Sequence, residues 1–343
     1  MTQSKPKKRR GKILRGCLLV LLCLVLAAAF VVIGVPMLET AHAEQKASGS
    51  DQWMGELRDD LRLNEIVIPG AHDCGTRYAQ LAFITNCQAL NVAEQLEAGV
   101  RYLDIRLGIE SPDGDGARKL KLMHGFMNCR TGPMPWSDTL YLDEVLEQCF
   151  AFLKAHPSET IIFAVKYEHV SEPVAAFQTL LDEALHRDEA RCLLTDSLPT
   201  LGEARGKLVL MRRYADEAGL GARAGIPLLW KDQKGREDPT RHIEMTDNGT
   251  YRLWIQDRFE YGNEDKWNAF LAGLREASIA PEDLSIHFLS TKGTLKYGHP
   301  YAHAKKLNER LVNELPAEEL RGWIILDFID APLAEYIRSA NFR

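Results

Sequence analysis

The first thing missing from this sequence is charge, over one long stretch. From Cys17 to Leu38 there are 22 consecutive residues without a charged side chain, and residues 1–16 before them hold seven basic residues and no acidic one. That apolar run exceeds the roughly 7–15 residues of a secretory core and reaches the roughly 20 needed to cross a bilayer. A buried helix of a cytosolic protein would need no basic flank. Residues 1–16 therefore read as a cytoplasmic flank and 17–38 as a transmembrane anchor or signal segment, with the remainder outside the cytoplasm. The small-x-small triplet "AHA" at 41–43 permits cleavage before Glu44, so the body is either anchored to the membrane or released after cleavage near Ala43. "LRGC" at 14–17 superficially resembles a lipoprotein box, but it precedes the apolar run instead of ending it.

Cysteine is sparse and badly placed for metal. No CxxC and no Cys/His group with zinc spacing occurs, which argues against a structural zinc site. Two of the seven cysteines lie in the apolar segment, leaving Cys74, Cys87, Cys129, Cys149 and Cys192 in the body. In an oxidising compartment one or two disulfides and at least one free thiol are expected. A basic surplus is also missing: residues 17–343 carry 35 basic against 48 acidic residues, which argues against a nucleic-acid surface. No internal repeat and no linker to a second domain is visible.

What is present is a globular body with 45% hydrophobic residues. After a polar spacer at 39–52, eight β-rich runs follow: "EIVIPG", "VRYLDIRL", "LKLMHG", "TIIFAVKYE", "GKLVLMRRY", "YRLWIQDRF", "LSIHFLS" and "GWIILDFI". Stretches of helical period separate several of them, such as "LDEVLEQCFAFLKAHP" and "YAHAKKLNERLVNEL". That order predicts βα units, a parallel sheet and one α/β barrel of the TIM type over residues 53–343. The segment around Gly114–Gly116 reads as a surface turn.

Buried barrel strands should be apolar, yet nearly every run here ends in a titratable group. "IVIPGAHDCGT" breaks at Pro69-Gly70 and delivers His72 and Asp73. "YLDIRL" places Asp104 and Arg106 on one face of a strand, and "FAVKYE" does the same with Lys166 and Glu168. His124, Arg212-Arg213, Asp257 and Asp327 close other runs. Singly, each suits a structural ion pair or a solvated turn. Converging at the carboxyl ends of barrel strands, they point to an active site. Two histidines suit general acid–base work near neutral pH, and several cations suit a phosphate. A carboxylate metal site is the alternative, and Arg106 counts against it.

"IPGAHDCGT", "QLEAGVRYLDIRL", "LMHGF", "PSETIIFAVKYE", "RGKLVLMRRY", "LWIQDRF", "FLSTKGT" and "GWIILDF" resemble, in that order, the catalytic domain of bacterial phosphatidylinositol-specific phospholipase C, over roughly residues 53–338. The resemblance implies an irregular TIM barrel. It also implies metal-independent cleavage of phosphatidylinositol, or a glycosylated form in a membrane surface, to diacylglycerol and inositol 1,2-cyclic phosphate. By that resemblance His72 is the general base supported by Asp327, His124 the general acid assisted by Asp73, and Arg106 the phosphate contact. Asp104, Lys166, Glu168, Arg213 and Asp257 would serve substrate binding. No cofactor and a monomeric chain are implied. Two departures stand out: Cys74 where the family has Ser or Thr, and Phe259 where an inositol-stacking Tyr is common. A catalytically silent lipid-binding barrel and a metal-dependent glycerophosphodiesterase are the competing readings.

Overall fold

Buried β-branched runs flanked by amphipathic helices leave the chain one economical arrangement, a sheet covered on both faces. A computed structural model describes residues 7–40, 52–110, 117–234, 243–278, 280–295 and 298–342, without side chains for 7–11. The cleavage triplet at 41–43, most of the spacer, the start of the basic flank and the turn at 114–116 lie outside them.

The strands are β1 (Ile68–Ala71), β2 (Tyr102–Glu110), β3 (Lys119–His124), β4 (Met127–Asn128), β5 (Ile161–His169) and β6 (Cys192–Leu193). They continue as β7 (Leu208–Arg212), β8 (Ile226–Pro227), β9 (Glu244–Asp247), β10 (Arg252–Gln256), β11 (Asp283–Phe288) and β12 (Trp323–Leu326). The helices are α1 (Lys7–Ala29), α2 (Val35–Thr40), α3 (Ala82–Thr85), α4 (Val92–Glu97) and α5 (Leu142–Ala155), then α6 (Val174–Leu185), α7 (Leu201–Ala204), α8 (Asn263–Glu276), α9 (Pro300–Glu314) and α10 (Ala331–Arg338). Among the described residues the sheet runs β6-β7-β5-β2-β1-β12-β11-β10-β9. All these neighbours pair in parallel except β9 with β10.

The curled sheet makes the irregular α/β barrel that the sequence predicts, with one correction. The run "LKLMHG" is not a stave: β3 pairs antiparallel with the far end of the nine-residue β2 and forms a hairpin with β4. The position beyond β7 is instead shared by the two-residue strands β6 and β8. No ladder joins β8 to β10 among the described residues. Side chains bridge that seam: Tyr251 Oη donates to the Pro227 carbonyl at 2.5 Å, Asn248 Oδ1 accepts from Leu229 N at 2.9 Å, and Gln233 Nε2 donates to the Ile255 carbonyl at 3.2 Å.

Alternation along each strand sorts two cores. Ile162 and Ala164 of β5, Val209 and Met211 of β7, and Trp323 and Ile325 of β12 fill the barrel with Ile68 and Tyr102. Their neighbours Ile161, Phe163, Val165, Leu210 and Ile324 pack outward under the helices. Gly70 is required by this filling, because a Cβ there would meet Ile325 Cδ1 at 2.3 Å. The body cysteines are free thiols, so the expected disulfides are absent. Cys74, Cys129 and Cys149 lie in the outward core, where the thiol packs as a small apolar group.

At the amino-terminal end of the barrel Arg101 and Glu159 form a fully buried ion pair at 2.8 Å. Arg101 also donates to the Leu96 and Val100 carbonyls, and Glu159 accepts from Met54 N, which ties the chain entering the barrel to β2 and β5. Glu159→Gln leaves a buried cation without its counter-charge. It should cost about 3–5 kcal/mol in denaturant unfolding of the full chain, and a loss under about 1 kcal/mol would mean the pair does not hold this end together.

Candidate active site

The inward-facing ladder positions explain where the titratable groups go. Along β1 the inward residues are Ile68 and Gly70, and the next is His72. Along β12 they are Trp323 and Ile325, then Asp327. In the same way Tyr102 leads to Asp104 and Arg106, Ala164 to Lys166 and Glu168, Met211 to Arg213, and Ile255 to Asp257. Each strand is apolar until it clears the filled interior, and its next inward side chain meets the cavity. This parity also selects Arg213 over Arg212, whose Nη1 is spent on the Tyr214 carbonyl at 2.8 Å. His124 arrives differently, at the tip of the β3–β4 hairpin.

Two His–Asp pairs result. His72 Nδ1 lies 2.6 Å from Asp327 Oδ1, and His124 Nδ1 lies 2.7 Å from Asp73 Oδ2. Arg106 stands between them, with Nη2 2.8 Å from His72 Nε2 and Nε 3.7 Å from Asp73 Oδ2. A guanidinium only donates, so His72 Nε2 accepts and Nδ1–H donates to Asp327. Asp73 of the second pair (φ 46°) and Phe328 (φ 51°), which follows Asp327, have left-handed backbones. Such strain is tolerated by Asp and uncommon for Phe. Gln88 clamps the junction, donating to the carbonyls of His72 at 2.8 Å and Leu326 at 2.9 Å.

Asp104 is expected as a substrate-binding residue, and the structure sets it behind the cavity instead. It is fully buried beneath the cavity and does not line it. Its Oδ2 accepts from Arg106 Nε and Nη2 at 3.2 and 3.1 Å and from Asp73 N at 3.2 Å, while Arg213 lies 3.7 Å from Oδ1. Burial opposes its charge, but Arg106 and Arg213 hold the carboxyl down at about 2. Glu168 is likewise held well below the carboxylate range against burial by Arg106 and Lys166. It pairs with Lys166 at 2.7 Å and accepts from Gly125 N at 3.1 Å, so it also anchors the His124 turn. For His72, burial disfavours the imidazolium and Arg106 adds to that. Asp327, by charge and hydrogen bond, outweighs both, so its pKa lies above the ordinary histidine value.

His72, Arg106, His124, Lys166, Glu168, Arg213, Asp257 and Asp327 line one cavity of about 330 Å³. Asp73 lies just behind it. Sequence reading missed Trp230, which orders the other side: Arg213 stacks on its ring at 3.6 Å, and its Nε1 donates to Asp257 at 3.1 Å. The signal was there, since "IPLLW" ahead of "KDQK" is another apolar run ending in an aromatic and charges, but the two-residue β8 hides it. Below Asp257, the buried Lys266 donates to Gln256 Oε1 and the Arg258 carbonyl at 3.0 and 3.1 Å, and burial pushes its ammonium down to about 7. Phe259 lines the cavity, while Cys74 is buried away from it. Cys87 was also missed. Its thiol lies between the pairs, and burial pushes its pKa well up. With His72 and Asp327, or with Asp73 and His124, it offers ligand atoms within 4.8 Å of one another that could hold a metal ion. The carboxylates of both sets are already engaged by histidine.

The site contains two His–Asp pairs, a forked cation between them and a polar pocket lined by Lys166, Arg213 and Asp257, the last two ordered from behind by Trp230. This is a constellation for moving two protons around an anionic centre. Residues 68–214 match the family described as Phosphatidylinositol-specific phospholipase C, X domain. A 1-phosphatidylinositol phosphodiesterase of Staphylococcus aureus (strain Newman) is 27% identical over 308 residues, covering 84% of this chain and 92% of the relative. Its counterpart in Listeria monocytogenes is 28% identical over 302 residues, covering 84% and 83%. A solved structure of the S. aureus phosphatidylinositol-specific phospholipase C superposes with a TM-score of 0.67 at 23% identity over 85% of this chain and 97% of that one. The Listeria monocytogenes structure gives 0.64 at 24% identity, over 85% and 99%. Residues 68–214 are thus a phosphatidylinositol-specific phospholipase C X domain, set in a chain that resembles the bacterial enzymes of that family across most of its length.

Proposed function

We propose that the protein is a metal-independent phosphodiesterase of the lyase type that cleaves phosphatidylinositol, or its glycosylated forms, to diacylglycerol and inositol 1,2-cyclic phosphate. The observation that carries this reading is the pair of His–Asp couples bridged by Arg106 in one cavity. His72 Nε2 takes the proton of the inositol 2-hydroxyl as that oxygen attacks phosphorus. The glycerol oxygen leaves with a proton from His124, whose Nδ1 is held by Asp73. Arg106 turns its fork to the phosphate, releasing the His72 lone pair and offsetting the charge that grows in the transition state. Lys166, Glu168, Arg213 and Asp257 bind ring hydroxyls, with Trp230 behind them aligning the last two.

The curated relatives are named for the same substrate, and the intact couples disfavour a silent binding barrel. A metal-dependent mechanism would need an acidic ligand where Arg106 stands. Residues 53–343 act as one catalytic unit within a single chain. The apolar helix runs over Lys12–Thr40, 29 residues with none of its apolar window buried. That length fits a signal or an anchor. We assign it as a retained anchor with the barrel outside the cytoplasm, because its carboxyl end packs on the barrel.

Protease added to intact cells should therefore digest the barrel, and resistance until lysis would overturn the assignment. Turnover should survive EDTA. Arg106→Lys should nevertheless lower kcat by on the order of 10²-fold or more, because an ammonium lacks the planar fork. Loss of activity on chelation with recovery on adding calcium would refute the metal-free reaction.

The two histidines give the sharpest test. Either alanine variant should lower kcat by about 10²- to 10⁴-fold on phosphatidylinositol. On an inositol nitrophenyl phosphate, whose leaving group needs no proton, His124→Ala should recover much of its loss and His72→Ala should not. The acid limb of kcat/KM reports the free base. Because Asp327 raises the His72 pKa, Asp327→Asn should move that limb to lower pH as well as slow the reaction. A limb that stays in place, or equal losses on both substrates, would contradict these roles.

A further inference from the structure

Beside the catalytic cavity lies a second one, between the end of the N-terminal helix and the barrel rim, with a volume of about 390 Å³. Val32, Ile33, Pro36 and Met37 form its helix wall, and Leu81, Ala82, Met127 and Met134 form most of the barrel wall. The helix is held there by a Glu39–His299 contact of 2.8 Å, and the His299 ring stacks on Phe83 at 4.1 Å.

Five of the polar side chains around this cleft are turned to partners of their own. Arg77 reaches Glu94 at 2.5 Å, Gln80 Oε1 accepts from Asn128 N at 3.0 Å, and Arg130 donates to the Ser137 carbonyl at 3.1 Å. Thr40 donates to the Pro36 carbonyl, and Asn86 Oδ1 accepts from Gln88 N. What they leave for an occupant is an apolar surface, in the volume range of ligand pockets. Leu81 forms part of it from a left-handed backbone (φ 56°), 45% exposed, at the start of α3. A left-handed backbone is uncommon for a bulky apolar residue, and such outliers cluster at ligand-binding and active sites.

The location identifies the occupant. One short helix separates the two cavities: Leu81 and Ala82 line the cleft, and Ile84 lines the catalytic cavity. On the other side His124, the proposed acid for the leaving oxygen, pairs across the β3–β4 hairpin with Met127 of the cleft wall. Thus the cleft adjoins the leaving-group side of the site, and its helix wall continues the bilayer-length apolar helix. We propose that the cleft receives an acyl chain of the lipid substrate, so that the anchor helix supplies half of a binding site for the diacylglycerol portion. The proposal rests on the reaction assigned above and adds to it a subsite made by the anchor.

The full chain in detergent micelles is to be photolysed with phosphatidylinositol carrying a diazirine on one acyl chain. Label should appear at Leu81–Ala82, Met127 or Met134 and be displaced by unlabelled phosphatidylinositol. Label confined to residues 12–30, or none on the barrel wall, overturns the cleft, and this readout needs no turnover. In the kinetic arm, Ala82→Trp fills the cleft from its rim. Its kcat/KM on long-chain phosphatidylinositol should fall by about tenfold or more, chiefly through KM, while that on the acyl-free nitrophenyl ester stays within about twofold. Equal effects on both substrates, or none on either, count against the subsite. If the unsubstituted protein cleaves no inositol phosphodiester, the reaction assignment fails while the labelling pattern still decides the cleft.

Discussion

The site depends on one buried charge, the carboxylate of Asp104. An ion without solvent persists only if it is paired and hydrogen-bonded, and this one is surrounded by two guanidinium groups and a backbone N–H. Its consequences spread outward. By taking Nε and one Nη2 hydrogen of Arg106, it aims the rest of that fork at His72 and Glu168. By accepting from Asp73 N, it fixes the left-handed turn whose side chain holds His124. Both His–Asp couples are therefore referred to a single buried group that does not line the cavity. Moving Asp104 displaces the cation and both histidines together, which makes it a positioning residue.

The barrel is regular where it needs only to be filled and irregular where it binds. Between β5, β2, β1 and β12 the backbone ladder continues, and from these staves rise His72, Arg106, Lys166 and Asp327. At the seam between β8 and β10, side chains replace the ladder, and Trp230 stands there behind the cavity-lining Arg213 and Asp257. A gap in the sheet allows a tryptophan to enter between two staves and link a cation to a carboxylate. A closed stave with the usual spacing would leave less room for a ring between them.

How much of this was legible follows from what a sequence pattern encodes. Buried parallel strands announce themselves as apolar runs, so all eight runs are strands, and the inward parity of β1, β2, β5 and β12 carries the charged residues to their places. A run does not name its neighbour, however. "LKLMHG" has the composition of a stave yet pairs beyond the barrel, because β2 is long enough to offer a second partner. Strands of two residues, β6 and β8, have no period to detect. Spacing of i and i+2 put Asp104 and Arg106 on one face but not at one depth, and two residues of rise separate a buried carboxylate from a cavity-lining cation. The count of five body cysteines suggested disulfides, yet Cys74, Cys129 and Cys149 pack in the core and Cys87 lines the cavity. The cleft beside α3 is formed by segments remote in sequence, so no local pattern could disclose it.

Two identical residue pairs must do opposite things in the proposed reaction, and their surroundings supply the difference. His72 has Arg106 donating to the ring nitrogen that faces the cavity, and a proton cannot occupy that nitrogen while the guanidinium does. The cation thus keeps the lone pair in place, and Asp327 on the far nitrogen makes the imidazolium acceptable once the proton arrives. Among the described residues His124 has no such guanidinium donor; Arg106 reaches its partner Asp73 instead, at 3.7 Å. The charge that shapes one histidine into an acceptor does not bear directly on the other. Phosphate binding then changes both at once, since the group that guards the His72 lone pair is the group that must turn to the phosphate. The base is therefore exposed when the substrate is present, and Arg106 links binding to the first proton transfer.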